Sequence, residues 1–223
     1  MDLSALPRRN YTSANPTPIE FMPRLSLALG NEVNLWIKRD DLVGNLAGGG
    51  NKARKLEFVI ADAISKGADT IVTCGAVQSN HCRLTLAACV REGLKCSLVI
   101  EERIPGSYDE DATGNNYLFH LLGAEYIEKV GLNESSEGME TLANKLREEG
   151  RNVYIIPGGA SNEVGATGYC ACAQEIQVRV LRDTNWLQKK QFSFSTQYGL
   201  TLFVFLANSI KYSQTDCQAF MHL

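Results

Sequence analysis

The run Gly48-Gly49-Gly50-Asn51-Lys52-Ala53-Arg54-Lys55-Leu56-Glu57 joins a glycine loop to a basic helix start. Apolar residues then recur with the spacing of one helix face, which predicts an amphipathic helix that begins at Asn51: Leu56, Val59, Ile60, Ala63 and Ile64. Lys52, Arg54 and Lys55 therefore lie in the first turn, at the positive end of the helix dipole, where cations are disfavoured. One explanation is that an anion or a reacting group lies beside these side chains. The other is that the three residues form a solvated basic turn, which costs little free energy.

A second junction follows the same pattern of a strand, a polar turn and a helix. Thr70 to Cys74 is β-branched and predicts a strand, and Leu84, Ala87 and Ala88 have helical spacing. Between them lies the turn Gln78-Ser79-Asn80-His81, at the edge of a parallel sheet where ligands bind. Ser79 and Asn80 are good helix caps, and capping alone is one interpretation. The other is that four hydrogen-bonding side chains and free backbone N–H groups bind a carboxylate.

Strands and helices alternate along most of the chain, which predicts an α/β fold with a parallel sheet and right-handed crossovers. Residues 1–34 are predicted to form an N-terminal segment rich in loops, because it contains four prolines. The predicted strands lie at 35–38, 70–74, 96–100, 125–130 and 153–156. The predicted helices lie at 51–66, 80–92, 113–122, 136–149 and 162–177, and four of them stop at a glycine.

Composition excludes several functional classes. A net charge of −3 gives no reason to expect a nucleic-acid partner. The opening residues lack the pattern of a signal peptide, and the apolar stretch near 200–210 is too short to span a bilayer. The seven cysteines form no C-x-x-C pair and the three histidines lie far apart, so we expect no metal site and reduced thiols in a cytoplasmic protein. Neither a Walker loop nor a Rossmann glycine turn occurs at the right place.

The lysine run and the segment from Gly75 to Arg83 (GAVQSNHCR) together resemble the D-cysteine desulfhydrase and 1-aminocyclopropane-1-carboxylate (ACC) deaminase family. These are pyridoxal phosphate (PLP) enzymes with a tryptophan synthase β-like fold. The resemblance covers about residues 5–177 and includes four further segments: Ile37 to Leu42, Gly67 to Thr70, Ile156 to Asn162 and Gly165 to Tyr169. It implies parallel twisted sheets with flanking helices, truncated relative to the intact family.

The resemblance also implies a division into two lobes. Residues 1–53 and 162–177 would belong to a larger PLP-binding lobe, and residues 54–161 would form a smaller α/β lobe. Residues 178–223 do not match the family and are expected to be an aberrant tail. The family's glycine-rich loop for the cofactor phosphate normally lies in the part that is not matched.

Site residues follow from the resemblance position by position. Lys52 is expected to bind PLP covalently and to act as the general base, and Ser79 is the second expected catalytic residue. Asn51 is expected to cap the helix and, with Asn80, to bind the cofactor. Gln78, Ser79, Asn80 and His81 are expected to bind the substrate carboxylate at the helix N-terminus, and no metal is expected.

The function implied is a PLP-dependent carbon–sulfur lyase of the D-cysteine desulfhydrase type, which converts D-cysteine to pyruvate, sulfide and ammonia. The alternatives are an ACC deaminase, a cysteate sulfo-lyase, a catalytically inactive truncated isoform without the phosphate loop, or a non-catalytic module that binds small carboxylates. The expected partner is a small amino-acid substrate, with no nucleic acid and no membrane. The intact family is expected to form homodimers.

Overall fold

The structure, a computed structural model, describes residues 3–12, 16–30, 33–44, 46–182, 192–197 and 200–206. The strands are β1 (Ile19–Phe21), β2 (Val33–Lys38), β3 (Thr70–Ala76), β4 (Lys95–Glu101), β5 (Ile127–Val130), β6 (Val153–Ile156), β7 (Phe192–Gln197) and β8 (Leu200–Leu206). The helices are α1 (Pro23–Ala28), α2 (Lys52–Ser65), α3 (Asn80–Glu92), α4 (Asn115–Leu121), α5 (Ser135–Glu148) and α6 (Glu163–Arg182). Short 3₁₀ turns span Asp40–Leu42 and Gly158–Ala160.

A parallel sheet in the order β5-β4-β3-β6 forms the centre of the fold and confirms the predicted α/β pattern. Successive residues of β3 face opposite sides of it, as strand geometry requires. Ile71 packs into a core with α2 and α3, whereas Val72 and Cys74 pack into a second core with α5. Because helices cover both faces, residues Thr70 to Cys74 are buried and this part of the strand has no solvent-exposed face.

A second sheet in the order β1-β2-β8-β7 is antiparallel throughout, unlike the parallel pairing that the sequence predicted. β7 and β8 lie close together in sequence, and such a short connection joins antiparallel strands only. β8 pairs with β2 from Val33 opposite Leu206 to Lys38 opposite Thr201. Residues of the predicted aberrant tail therefore extend this sheet.

The predicted elements between 35 and 177 are all present, with ends shifted by at most five residues. The largest shift is at the end of α6, which continues to Arg182. α4 begins two residues late because Gly114 has φ +79°, outside the helical region. β1 and α1 were missed in the proline-rich N-terminal segment, although Pro23 occupies a first-turn position that suits it. The division into lobes stays a prediction.

α6 lies directly over the first turn of α2. A Cβ atom on Gly168 would lie 2.2 Å from the carbonyl oxygen of Arg54 and 2.8 Å from the backbone nitrogen of Lys55. Only glycine permits so close an approach of the two backbones. In the described part of the chain, no helix is long and apolar enough to cross a membrane.

Candidate active site

Lys52 is the first residue of α2 and follows a glycine loop in which Gly48, Gly49 and Gly50 all have positive φ. Its side chain is half-buried, and its amine forms no hydrogen bond or ion pair within the described residues. Burial lowers the pKa of this amine below its ordinary value, because desolvation penalises the ammonium form. A half-buried lysine without a carboxylate is poorly explained by packing and is suited to reacting with a ligand.

The 3₁₀ turn after β6 lies against the Lys52 amine. A Cβ atom on Gly159 would lie 3.7 Å from both Cε and Nζ of Lys52, so the backbone of this turn faces the amine closely. The neighbouring Ser161 accepts a hydrogen bond from Lys55 Nζ at 3.0 Å. Burial, and then the charge of Lys52, lower the pKa of Lys55 to about 8. Two amines with lowered pKa values therefore share one end of α2.

Arg54 explains part of the basic helix start without any ligand. Its guanidinium is 1% exposed and forms a bidentate pair with Asp40, with two distances of 2.8 Å. It also donates to Glu175 of α6 at 2.9 and 3.0 Å. The expectation that an anion faces this turn is thus correct for Arg54, but the anions are the protein's own carboxylates. They fix the first turn of α2, which carries Lys52.

Asn51 does not cap α2 with its side chain, so that prediction is wrong. The residue occupies the N-cap position with helical backbone angles (φ −58°, ψ −26°), and its side chain makes no capping hydrogen bond. Capping asparagine residues have an extended backbone instead, which aims the side chain at the first N–H groups. The Asn51 carbonyl accepts a hydrogen bond from the Tyr169 hydroxyl at 3.5 Å.

At the turn before α3, two backbone donors have no partner in the described parts of the chain. Ser79 caps the helix, because its Oγ accepts from the backbone N–H of Cys82 at 3.2 Å. The N–H groups of Asn80 and His81 make no hydrogen bond among the described residues. Gly75 lets this cap approach the strand, since a Cβ there would lie 2.3 Å from Ser79 Oγ. The result is a pair of free N–H groups at the positive end of a 13-residue helix.

The His81 imidazole is buried, with both ring nitrogens within hydrogen-bond distance of threonine hydroxyls. Thr73 donates its own proton to the carbonyl of Ile156 at 2.8 Å, so it accepts from His81 Nε2 at 2.9 Å. Burial, followed by the charges of Lys52 and Lys55, lowers the pKa of His81 to about 3. His81 is therefore a neutral link between α3 and β3, and only its backbone N–H remains for an anion.

Gln78 is held by the loop before α4. Its Oε1 accepts from the backbone N–H of Asn115 at 2.7 Å, and its Nε2 donates to the carbonyl of Thr113 at 3.0 Å. Asn115 in turn donates from Nδ2 to the Gln78 carbonyl at 2.8 Å and to Asn80 Oδ1 at 2.9 Å. Of the four side chains in the turn, Asn80 alone keeps an unpaired amide donor within the described residues. Motif spacing could not reveal Asn115, which lies 35 residues from Asn80.

The structure brings the glycine loop and this turn together. Arg83 donates from Nη2 to the Gly49 carbonyl at 3.2 Å, and a Cβ on Gly50 would lie 3.3 Å from Leu84. Both partners lie in the first turns of α3, three and four residues after Asn80. The lysine amine, the free N–H pair and the Asn80 amide are thus parts of one region, at the carboxyl end of β3.

Comparison with known proteins decides the family. The family model described as "Pyridoxal-phosphate dependent enzyme" matches residues 12–190. The chain belongs to this family. It is 45% identical over 175 residues to a D-cysteine desulfhydrase of Yersinia enterocolitica (serotype O:8 / biotype 1B), which covers 78% of this chain and 52% of that protein. D-cysteine desulfhydrases of Salmonella typhimurium (strain LT2) and Klebsiella pneumoniae (strain 342) are each 43% identical, with the same coverage.

Solved structures support the same fold. An ACC deaminase homologue superimposes with a TM-score of 0.69 at 37% identity, covering 79% of this chain and 52% of that one. A pyridoxal 5'-phosphate-dependent aspartate racemase, 19% identical, shares the fold with a TM-score of 0.56 and covers 74% of this chain and 46% of its own. The chain spans about half the length of the relatives it matches.

The described residues of this family member fit part of a PLP site. The family cofactor needs a lysine amine, and Lys52 supplies one that is half-buried and has no partner in the part of the chain that the structure describes. The glycine at 159 keeps side-chain atoms away from that amine. No cluster of metal-ligating side chains occurs among the described residues. The assignment of Lys52 and of the turn at 78–81 to the site stays a prediction. Sequence analysis did not name Thr73, which contacts His81 across the strand–helix junction, or Asn115, which contacts the turn from a distant loop.

Proposed function

We propose that Lys52 binds PLP and that the chain carries the site of a lyase of the D-cysteine desulfhydrase type. The observation that supports this most directly is the Lys52 amine, which is half-buried, unpaired among the described residues and lowered in pKa by burial. A lysine whose ammonium form is disfavoured by burial can more readily bond to a carbonyl cofactor and later accept a proton. The relatives at 43–45% identity bear the name D-cysteine desulfhydrase, which makes D-cysteine the first substrate to test.

Each residue of the region has a proposed task. PLP, when bound, withdraws electrons from the Cα atom of an amino acid and so makes its proton removable. Lys52 Nζ takes that proton, and the backbone N–H groups of Asn80 and His81 bind the carboxylate. The Ser79 hydroxyl caps the helix and keeps a proton to donate to substrate, and the Asn80 amide donates to the cofactor. His81, whose pKa is lowered to about 3, is too weak a base to compete with Lys52 for that proton.

The net reaction consumes one water molecule. D-Cysteine and water give pyruvate, hydrogen sulfide and ammonia, in which the Cβ–S bond breaks and sulfide leaves with the electron pair. An ACC deaminase is the second candidate, because the structural neighbour with a TM-score of 0.69 is an ACC deaminase homologue. Cysteate sulfo-lyase activity, and an inactive isoform without the phosphate loop, are the remaining alternatives. We further propose a cytoplasmic homodimer with the lobe division given above.

The experiment separates these candidates by product. The purified chain is incubated with PLP and D-cysteine, L-cysteine, ACC or cysteate, and sulfide, sulfite, oxoacid and ammonia are measured. The proposal predicts sulfide and pyruvate from D-cysteine, lost in Lys52→Ala and retained in Lys95→Ala, which removes an exposed lysine paired with Glu125. Ammonia from ACC without sulfide from cysteine would favour the deaminase. No product from any substrate, with PLP bound at Lys52, would favour the inactive isoform.

A further inference from the structure

We propose that Asn115 is a positioning residue that fixes the Asn80 side-chain amide with its NH₂ group turned to the ligand. Asn115 is 9% exposed and is the first residue of α4. Its Nδ2 donates to the Gln78 carbonyl at 2.8 Å and to Asn80 Oδ1 at 2.9 Å. The inference rests on the proposed function in one respect, since the ligand it invokes is PLP.

The orientation of both amides follows from one backbone atom. A main-chain carbonyl accepts hydrogen bonds and never donates them, so the Asn115 atom beside the Gln78 carbonyl must be the NH₂ group. That same NH₂ group also contacts the Asn80 side chain, whose facing atom must therefore be the oxygen. Asn80 Nδ2 then points away from Asn115 and has no hydrogen-bond partner within the described residues. It remains a donor for a ligand acceptor.

The loop is built to hold Asn115 in this place. Gly114 has φ +79° and ψ −137°, a backbone conformation that favours glycine, and a Cβ on it would lie 2.8 Å from Gln78 Oε1 and displace that amide. The Gln78 amide then bonds to the loop backbone on both sides, at Thr113 and Asn115. Four hydrogen bonds thus tie the loop to the turn, and two of them set the position of the Asn115 amide.

The substitution Asn115→Asp is expected to reverse the orientation of the Asn80 amide with almost no change in side-chain size. A carboxylate cannot donate to the Gln78 carbonyl, and it repels Asn80 Oδ1. Asn80 is then expected to rotate by half a turn, so that its NH₂ group donates to the introduced carboxylate and its oxygen faces the ligand. The variant should fold, because an acidic residue at the start of α4 is favoured by the helix dipole. The backbone N–H of residue 115 still donates to Gln78.

The test is a double-mutant cycle on PLP affinity, measured by visible absorbance during titration of PLP. Asn115→Asp is expected to weaken binding about five- to tenfold, the loss of one hydrogen bond. In an Asn80→Ala background the same substitution should cause no further loss, because no amide is left to orient. Asn144→Asp is the matched control, an exposed asparagine that accepts from Arg147 and can still do so as aspartate. Additive losses in both backgrounds would indicate a merely structural role and overturn the inference.

A second measurement works without the cofactor. Side-chain amide NMR signals of Asn80 are recorded for the wild type and for Asn115→Asp, and a hydrogen-bonded NH₂ group is expected only in the variant. Unchanged Asn80 signals would overturn the inference even if PLP binds. A wild type that shows the predicted amide signals but takes up no PLP would contradict the proposed function and leave the amide geometry confirmed. The two failures are therefore distinguishable.

Discussion

Replacing Arg54 with methionine tests whether the ion cluster beneath Lys52 fixes the first turn of α2. The guanidinium forms hydrogen bonds with Asp40, Glu175 and Thr17, at 2.8 to 3.1 Å. Asp40 is 0% exposed and would lose both bonds from Arg54. Glu175 would keep its pair with Lys38 at 2.8 Å. Breaking a buried pair by removing one partner costs about 3–5 kcal/mol, because the remaining charge stays buried.

The retained Lys38–Glu175 pair places the expected loss near the middle of that range, at about 4 kcal/mol of unfolding free energy. With a slope of about 2 kcal/mol per molar urea, the unfolding midpoint should fall by about 2 M. The assay is urea unfolding followed by circular dichroism at neutral pH. Arg147→Met is the control, because Arg147 is 43% exposed and lies 3.6 Å from Glu140. It should cost less than about 1 kcal/mol.

The same cluster predicts a pH dependence. Burial raises the pKa of the Glu175 carboxyl, but the hydrogen bond and charge of Arg54, and then those of Lys38, outweigh it, so the pKa lies below its ordinary value. A lowered carboxyl pKa contributes stability that is present above the ordinary value of 4.5 and is lost as the pH falls through the folded-state pKa. The difference between wild type and Arg54→Met should therefore shrink in acid. A midpoint for Arg54→Met equal to that of Arg147→Met at neutral pH would refute the reasoning.

Three further outcomes are expected. Gly168→Ala should lower the unfolding free energy by about 3 kcal/mol, the upper range for overpacking, because its Cβ would overlap the carbonyl of Arg54. In the control Gly44→Ala, the added Cβ would meet its nearest atom at 3.6 Å, so stability should change little, and equal urea midpoints for the two variants would contradict this prediction. His81 should show no protonation by NMR between pH 8 and pH 5, since its pKa lies at about 3, and a titration midpoint near 6 would show that the imidazole is accessible. Its contribution to stability should be lost progressively as the pH falls from 6.5 towards 3, because the unfolded chain binds the proton first. Glu57→Gln should lower the unfolding free energy by about 1–3 kcal/mol, because this carboxylate accepts four hydrogen bonds from residues 8–12. Proteolytic cleavage on the N-terminal side of residue 13 should become faster, and an unchanged cleavage rate would argue against these hydrogen bonds holding the segment in place.

The sequence predicted the parallel sheet well because its signals are local. Each strand and helix between 70 and 156 carries its own periodicity, and a glycine ends most of the helices. The antiparallel sheet was not predicted, since β2 pairs with a segment more than 160 residues away. Pairing between distant strands depends on tertiary contacts, which a single sequence does not show.

In the candidate site too, some features follow from local sequence and others depend on tertiary contacts. Lys52 and the start of α3 follow from motif and helix position, and the structure places them in one region. Gln78 and His81 were assigned to substrate because their side chains can form hydrogen bonds. Their partners in the structure are Asn115 and Thr73, which belong to other elements. A polar side chain in a turn is equally able to hold a neighbouring loop, and only the fold shows which acceptor it meets.

Covalent labelling tests most directly whether Lys52 is the amine that binds PLP. The chain is incubated with PLP, reduced with borohydride, digested and mapped by mass spectrometry. We expect one stoichiometric pyridoxyl label on the peptide that contains Lys52, with cofactor that resists dialysis before reduction, and no such label in Lys52→Ala. Label spread over exposed lysines such as Lys66 and Lys95, with the same yield in Lys52→Ala, would contradict it.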